Sequence, residues 1–178
     1  MNHNDYQKLI KDIPDYPTPG VVFKDVTPIM ADPSGFAAVV DELSNHFLGK
    51  NVNKVIGAEA RGFLVGAPVA YRLGAGFIAA RKPGKLPREV YSESYELEYG
   101  KEELQIHKDA IQPGDRCLVV DDLVATGGTA VACAKLIEKS QGELVGFGFL
   151  MQLDFLHPEE IIRKHYDQDI FSLIHVAD

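Results

Sequence analysis

Short apolar runs alternate with amphipathic segments along the chain from residue 52 onward. The runs are rich in Val, Ile, Leu and Phe, which is typical of buried strands, and the segments between them carry apolar residues at helical spacing. The pattern predicts strands at 52–58, 76–81, 116–120, 143–153 and 169–176, and helices at 62–73, 129–139 and 157–166. This alternation predicts an α/β fold with a mainly parallel twisted sheet flanked by helices on both faces.

The first fifty residues follow a different pattern. Apolar residues at helical spacing predict a short amphipathic helix that ends before Pro14. Its apolar positions are Tyr6, Leu9, Ile10 and Ile13. The proline-rich segment 15–30 is too poor in helix and strand formers for a central element, so we expect an ordered loop or edge structure there. Asp32 and Pro33 then begin a second helix.

The segment between strands 76–81 and 116–120 fits neither pattern. Residues 81–94 are polar, basic and rich in turn formers. SYELEYG (94–100) and ELQIHKDAI (103–111) alternate with period two, which predicts a pair of strands.

Composition and charge limit the possible functions. A chain of 178 residues with 46% hydrophobic and 25% charged residues predicts one globular domain. The net charge of −8 argues against general binding to nucleic acid or to an anionic membrane, because such partners need a positive field. No apolar run approaches the roughly 20 residues that span a bilayer, and the first residues lack a signal-peptide core, so we expect a cytoplasmic protein. Cys117, Cys133 and the six histidines show no metal-ligand or triad spacing.

The segment VVDDLVATGGT (119–129) carries the clearest chemical signal. Asp121 and Asp122 end an apolar strand, and a turn of small residues leads into the next helix at Thr129. Glycines before a helix N-terminus expose backbone N–H groups to an anion, and Thr126 and Thr129 add hydroxyl donors, so the turn predicts a phosphate site. The carboxylates would repel phosphate but accept hydrogen bonds from a vicinal diol. Phosphate and diol together predict a ribose 5-phosphate.

Other glycine motifs do not fit this segment. A Walker A loop needs lysine after its second glycine, but Gly128 is followed by Thr129. The dinucleotide fingerprint needs three spaced glycines after a strand, whereas Gly146 and Gly148 lie inside one. A strand–helix turn without any ligand is the remaining alternative.

The segment resembles the signature of the type I phosphoribosyltransferases that binds 5-phospho-α-D-ribose 1-diphosphate (PRPP). YPTPGVVFKDVTPIM, GAEARGFLVGAPVA, RKPGKLPREVYSESYELEYG and QIHKDAIQPGDRCLVVDDLVATGGT are similar to the adenine-specific members, in the expected order from about Tyr16 to Leu150. The resemblance implies a single domain over 1–178, with a hood and N-terminal helix at 1–35 and a core at 36–178 that carries a mobile loop at 82–95. It also implies a homodimer that converts adenine and PRPP to AMP and diphosphate in purine salvage. Mg²⁺ is expected to be carried on PRPP without a direct protein ligand.

The resemblance implies a role for each part of the PRPP site. Asp121 and Asp122 would bind the ribose hydroxyls, and the turn would bind the 5′-phosphate through Ala125, Thr126, Gly127, Gly128 and Thr129. Diphosphate would be bound by Arg61, Arg81 and Lys85, beside a non-proline cis peptide between Glu59 and Ala60. Lys82 and Arg88 belong to the same basic segment, and a solvated surface loop is the alternative for all these cations.

The resemblance also implies residues for the base. Glu98 would be the general acid/base toward adenine and Tyr99 an orienting or lid residue. Val22 and Lys24 would bind adenine through their backbone while Phe23 packs on the purine, with Lys24 where the family often has arginine. Glu98 as a surface strand residue and Phe23 as a packing residue are the alternatives.

Two other functions stay open at this point. One is a phosphoribosyltransferase for another purine, of the xanthine type. The other is a non-catalytic regulator that senses PRPP, although the acidic chain, the single domain and the presence of Glu98 with the basic segment argue against it.

Overall fold

The computed structural model describes residues 5, 8–97 and 100–178. Its core is a five-stranded parallel sheet formed by β3 (Lys54–Ala58), β4 (Gly76–Ala80), β7 (Arg116–Val124), β8 (Glu143–Leu153) and β9 (Asp169–Val176). Across the sheet these strands lie in the order β4-β3-β7-β8-β9. The predicted α/β fold with a mainly parallel sheet flanked by helices is confirmed.

Helices cover both faces of this sheet because side chains along each strand alternate in direction. On one face α1 (Thr27–Ala31), α2 (Pro33–Phe47) and α3 (Arg61–Leu73) pack on Leu118 and Val120 of β7. On the other face α4 (Gly128–Lys139) and α5 (Pro158–Arg163) pack on Cys117 and Val119. Helix α2 begins as predicted, because the Asp32 side chain caps it by accepting a hydrogen bond from the Gly35 N–H at 2.7 Å.

The N-terminal prediction is wrong in two places. Residues Lys11–Pro14 form strand β1, not the end of a helix, and pair antiparallel with β2 (Val22–Asp25), Ile13 opposite Phe23. Backbone pairing with a distant segment outweighs the local helical spacing; Tyr6 lies outside the described residues. The proline-rich segment also contains helix α1, because Pro28 occupies its first turn, where no backbone N–H donor is needed.

The predicted pair of strands is confirmed as an antiparallel hairpin. Strand β5 (Val90–Leu97) begins four residues before the predicted SYELEYG strand and pairs along its whole length with β6 (Gly100–His107). Residues 90–95 of the predicted mobile loop are therefore in a strand, and the mobility of the loop stays a prediction.

Strand β7 runs further than its predicted end at residue 120. Residues 121–124 continue the ladder with β8, Asp121 opposite Phe149. Toward β3, however, β7 pairs only as far as Val119. The two strands separate there, at the point where the chain switches from one half of the sheet to the other, and a crevice opens at their carboxyl ends.

Cys117 and Cys133 are free and buried, as expected for packing residues. Within the described part of the chain, no helix has the length and apolar character needed to cross a membrane.

Candidate active site

A cavity of about 290 Å³ fills the crevice between β3 and β7. Its walls come from the end of β3, from the turn between β7 and α4, and from the β5–β6 hairpin. Residues of widely separated sequence segments meet there: Glu59 to Gly62, Lys82, Tyr95, Glu102, and Asp121 to Gly127 with Thr129.

The two adjacent aspartates line this cavity, as predicted. Asp121 Oδ1 accepts a hydrogen bond from the backbone N–H of Asp122 at 2.8 Å. The Asp122 side chain is 4% exposed, and its Oδ2 lies 3.0 Å from Arg61 Nε. That oxygen is buried and has no aligned hydrogen-bond donor among the described residues, so its contact with Arg61 is one of charge.

Burial raises the pKa of Asp121 well above its usual range, and the adjacent charge of Asp122 adds to the effect. Arg61 partly opposes this shift in pKa. The Asp121 carboxylate is packed against the first turn of α3, where a Cβ on Gly62 would lie 2.8 Å from Asp121 Oδ1. Glycine at position 62 therefore leaves the room that the carboxylate occupies.

The turn after β7 has the geometry of an anion site. Gly127, with φ of +93°, is the N-cap of α4 and has no side chain to cap the helix. The Thr126 hydroxyl accepts a long hydrogen bond, 3.5 Å, from the Gly128 N–H. The first turn of α4 therefore directs its N–H groups and the positive end of the helix dipole toward this turn. Ala125, Thr126, Gly127 and Thr129 line the cavity; Gly128 is not part of its wall and instead packs beside the Tyr95 ring.

The predicted diphosphate cations are arranged in two ways. Arg61 lines the cavity and contacts Asp122. Arg81 and Lys85 do not line it, and both contact the Glu59 carboxylate at 3.2 Å. Lys82, for which the sequence left a surface role open, does line the cavity. The predicted non-proline cis peptide between Glu59 and Ala60 is confirmed.

Tyr95 and Glu102 are cavity residues that the sequence analysis missed. They face each other across the hairpin, and the Tyr95 hydroxyl donates a hydrogen bond to Glu102 Oε2 at 2.7 Å. Burial, together with the hydrogen bond to Glu102, raises the pKa of Tyr95 to about 12, so the phenol is protonated at neutral pH. In the observed register Tyr95, Glu102 and Leu104 lie on one face of the hairpin. No signal in the sequence identified Glu102, which lies between the two predicted strands.

A second cavity, of about 350 Å³, adjoins the first on the side of the β1–β2 sheet. It is lined by Ile13, Tyr16, Phe23, Asp25, Thr27 and Arg61. The Arg61 guanidinium carbon lies 5.4 Å from the centre of the Phe23 ring. Arg61 therefore lines both cavities, on the edge between a polar space and an aromatic one.

The structure does not bring the other predicted base-binding residues into the aromatic cavity. Val22 is half exposed, and the Lys24 side chain forms an ion pair with Asp12 at 2.9 Å. Neither residue lines the aromatic cavity, although Phe23 between them does. Glu98 and Tyr99 lie outside the described residues, so their predicted roles stay predictions.

Oxygen donors for a hard cation are present in the main cavity as the carboxylates of Asp121 and Asp122. The described residues hold no group of three or more His, Cys, Asp or Glu side chains that could enclose a metal ion. This donor set fits a cation that shares its coordination with a bound ligand and with water.

Comparisons with known proteins agree with this geometry. A family model described as the phosphoribosyl transferase domain matches residues 29–176. The chain is 50% identical to the adenine phosphoribosyltransferase of Koribacter versatilis over 97% of this chain and 93% of that one. It is 57% identical to that of Myxococcus xanthus over 85% of this chain and 83% of the relative.

Solved structures give the same result. The adenine phosphoribosyltransferase of Thermoanaerobacter pseudethanolicus superposes with a TM-score of 0.93 at 45% identity, covering 98% of this chain and 100% of that one. The enzyme of Giardia lamblia in complex with 9-deazaadenine superposes with a TM-score of 0.93 at 35% identity, covering 100% and 99% of the two chains. The chain belongs to the phosphoribosyltransferase family, among the adenine phosphoribosyltransferases.

Proposed function

We propose that the two adjoining cavities carry out the reaction of this family, in which adenine and PRPP give AMP and diphosphate, a step of purine salvage. The bond from adenine N9 to ribose C1′ forms as the bond from C1′ to the diphosphate oxygen breaks. Diphosphate leaves with the electron pair, and adenine loses its N9 proton. The observation that carries the proposal is an adjacent carboxylate pair and a helix N-terminus with a glycine N-cap in one cavity, next to an aromatic cavity.

The ribose 5-phosphate is bound by the segment between β7 and α4. Asp121 and Asp122 accept hydrogen bonds from the ribose hydroxyls, and residues 125–129 donate to the phosphate. The position of both aspartates in the cavity wall and the glycine N-cap of α4 support these roles. Together they fix both ends of the pentose and so place C1′ toward Arg61.

Adenine is bound in the aromatic cavity against Phe23. The backbone of Val22 and Lys24, on either side of Phe23, reads its amino group and N1; this role rests on the resemblance, because neither residue lines the cavity. The Lys24 side chain pairs with Asp12. The yeast enzyme, 35% identical to this chain, has been crystallised with an imino-altritol bisphosphate and adenine, which supports a base and a phosphorylated sugar analogue occupying one site. Glu98 moves the proton of the base and Tyr99 orients the substrates, a role that rests on the resemblance alone.

Mg²⁺ accompanies PRPP in this proposal. Asp121 and Asp122 would hold it through water. When bound, such a cation would supply positive charge to offset the charge of the departing diphosphate.

We further propose that the enzyme is a homodimer that buries the outer face of α3. Leu64 and Tyr71 lie two turns apart on that helix, and Tyr71 is 88% exposed, which is unusual for a large aromatic side chain. Light scattering should give twice the mass of the chain, and Tyr71→Glu should lower it toward that of one chain. A wild-type mass of one chain would refute the dimer.

The activity is tested with purified protein, PRPP and Mg²⁺. AMP should form with adenine and no nucleotide with hypoxanthine, guanine, xanthine or orotate. Product from xanthine rather than adenine would favour a different purine specificity. Binding of PRPP without any product would favour a regulator that senses PRPP.

A further inference from the structure

Glu59 places a carboxylate in the wall of the PRPP cavity. It follows the last residue of β3, and its side chain is 10% exposed. A carboxylate at this place repels the diphosphate that the proposed function brings into the cavity. The ribose hydroxyls do not account for it, because Asp121 and Asp122 already serve them.

Both oxygens of Glu59 are engaged by the basic segment. Oε1 accepts hydrogen bonds from the backbone N–H of Lys82 at 2.8 Å and from Arg81 Nε at 3.2 Å. Oε2 lies 3.2 Å from Lys85 Nζ. Burial alone would raise the pKa of Glu59, but the hydrogen bonds from Lys82 and Lys85 and the charges of Lys85 and Arg81 lower it, so Glu59 is ionised at neutral pH.

The backbone at Arg81 is also held by a contact that does not involve Glu59. Arg81 and Gln105 of β6 exchange two backbone hydrogen bonds, at 2.9 and 2.8 Å. Glu59 therefore determines the direction of the Arg81 and Lys85 side chains more than the position of the chain. In this direction neither side chain reaches the wall of the cavity, whereas Glu59 itself does.

We propose that Glu59 is an exchangeable counter-ion, which holds Arg81 and Lys85 while no diphosphate is bound and gives them up to diphosphate in the complex. The inference rests on the proposed function, since it takes diphosphate as the ligand of these cations. Every binding event then breaks the contacts of Glu59, and every release restores them. Glu59 is a positioning residue that weakens the affinity for diphosphate and speeds its release as product.

Glu59→Gln tests this directly, because glutamine keeps the volume and an acceptor for the Lys82 N–H but lacks the charge. Inorganic diphosphate, titrated by calorimetry at fixed ionic strength, should bind about tenfold more tightly to Glu59→Gln than to wild type. The salt dependence of binding should be steeper, because more cationic charge is free. The KM for PRPP and kcat should fall together as product release slows.

Glu93→Gln is the matched control. Glu93 pairs with Lys139 at 2.9 Å, and the two pairs are similarly exposed. The Glu93 side chain is 18% exposed and that of Lys139 45%, whereas the values are 10% for Glu59 and 49% for Lys85. Neither Glu93 nor Lys139 lines the PRPP cavity. The same change of net charge there should leave diphosphate affinity at the wild-type value.

An unchanged or weaker affinity of Glu59→Gln for diphosphate would overturn the inference. If wild type forms AMP and binds diphosphate while Glu59→Gln behaves the same, only the inference fails. If wild type does neither, the proposed function fails with it. Lys85→Gln, at an exposed position, serves if Glu59→Gln does not fold: it should weaken diphosphate binding, and unchanged binding would equally overturn the inference.

Discussion

The two halves of the PRPP cavity are built in different ways. The half proposed to bind ribose 5-phosphate consists of backbone groups and the adjacent carboxylates of Asp121 and Asp122 at the junction of β7 and α4, held by the sheet ladder and by helix packing. The half proposed to bind diphosphate consists of partly exposed cationic side chains whose partners are carboxylates of the same protein. The first half has its shape before the ligand arrives, and the second has to exchange one anion for another.

This contrast matches the order of events at the site. A pentose phosphate has to be held still while C1′ changes its partner, which favours a preorganised cradle. Diphosphate has to be released in every cycle, which favours contacts that already have an alternative partner. Substitutions in the first half should therefore cause larger losses than those in the second.

Asp122→Ala should cause the largest effect. It removes the acceptor of a ribose hydroxyl and leaves Arg61 without its 3.0 Å partner, so kcat/KM for PRPP should fall about 10²- to 10³-fold. Steady-state kinetics with PRPP varied measures this. Asp167→Ala, at an exposed position outside the cavity wall, should keep wild-type kinetics. A loss below tenfold for Asp122→Ala would show that the carboxylate pair does not bind the pentose.

Gly127→Ala should be next, and it tests whether the phosphate cradle has a fixed shape. Alanine at φ of +93° is strained, and its Cβ would lie 2.9 Å from the carbonyl oxygen of Pro158 in α5. The free energy of unfolding in urea should fall by about 2–4 kcal/mol.

Gly84→Ala separates the two causes of that loss. Gly84 also has a positive φ, +82°, but a Cβ there would meet no heavy atom within 4 Å. The free energy of unfolding of Gly84→Ala should fall only by the cost of the backbone conformation, about 1 kcal/mol. An equal fall in the free energy of unfolding of the two variants would mean that α5 shifts to accommodate the new methyl group and that the turn at Gly127 is not rigid.

Lys82→Ala tests the diphosphate half and should have a smaller effect. Lys82 lines the cavity and its closest carboxylate contact, to Glu102, is 3.8 Å, so its charge is available to diphosphate. The KM for PRPP should rise about tenfold. Arg88→Ala is the control in the same basic segment, because Arg88 pairs with Asp109 at 2.9 Å and does not line the cavity. An equal rise in the KM for PRPP in both variants would indicate a general electrostatic effect of the basic segment rather than a specific contact of Lys82.

The sequence predicted the fixed half better than the exchangeable half, for a physical reason. VVDDLVATGGT is one contiguous segment, in which strand, acids, glycines and helix start follow from local rules, and only the end of β7 was placed four residues too early. Glu59 contacts a segment that begins 22 residues later, and such pairing has no local signature.

The same limit applies at the N-terminus. The residues near Ile13 have helical spacing, but their backbone pairs with β2 ten residues away, so a long-range contact decided the structure. Tyr95 was placed correctly in a strand, whereas Glu102 fell between the two predicted strands because the second was predicted to begin at residue 103 instead of Gly100. Which face of the hairpin meets the cavity depends on how it packs against α4.

Asp169→Asn should have the smallest effect, and it shows what a carboxylate–cation cluster does away from the cavity. Asp169 Oδ2 contacts His46 Nε2 at 2.6 Å and Lys50 Nζ at 2.7 Å, and so joins the end of α2 to β9. Burial alone would raise the pKa of Asp169, but Lys50 and His46 outweigh it and the pKa is lowered. A carboxyl group whose pKa is lower in the folded than in the unfolded state stabilises the folded state at pH values above its unfolded-state pKa. This stabilisation is lost as the pH falls through its folded-state pKa.

Urea unfolding at a series of pH values tests this. Wild type should exceed Asp169→Asn by less than about 1 kcal/mol at pH 7, since solvent screens a group that is 37% exposed. The difference should shrink below about pH 4, where the unfolded carboxyl group takes up its proton. Asp41→Asn, whose pair with Arg72 is over half exposed on both sides, should show no such difference. The KM for PRPP should not change in either variant, because neither the Asp169 cluster nor the Asp41–Arg72 pair has a ligand that competes for its cations. A changed KM in Asp169→Asn would contradict the distinction between structural and exchangeable ion pairs.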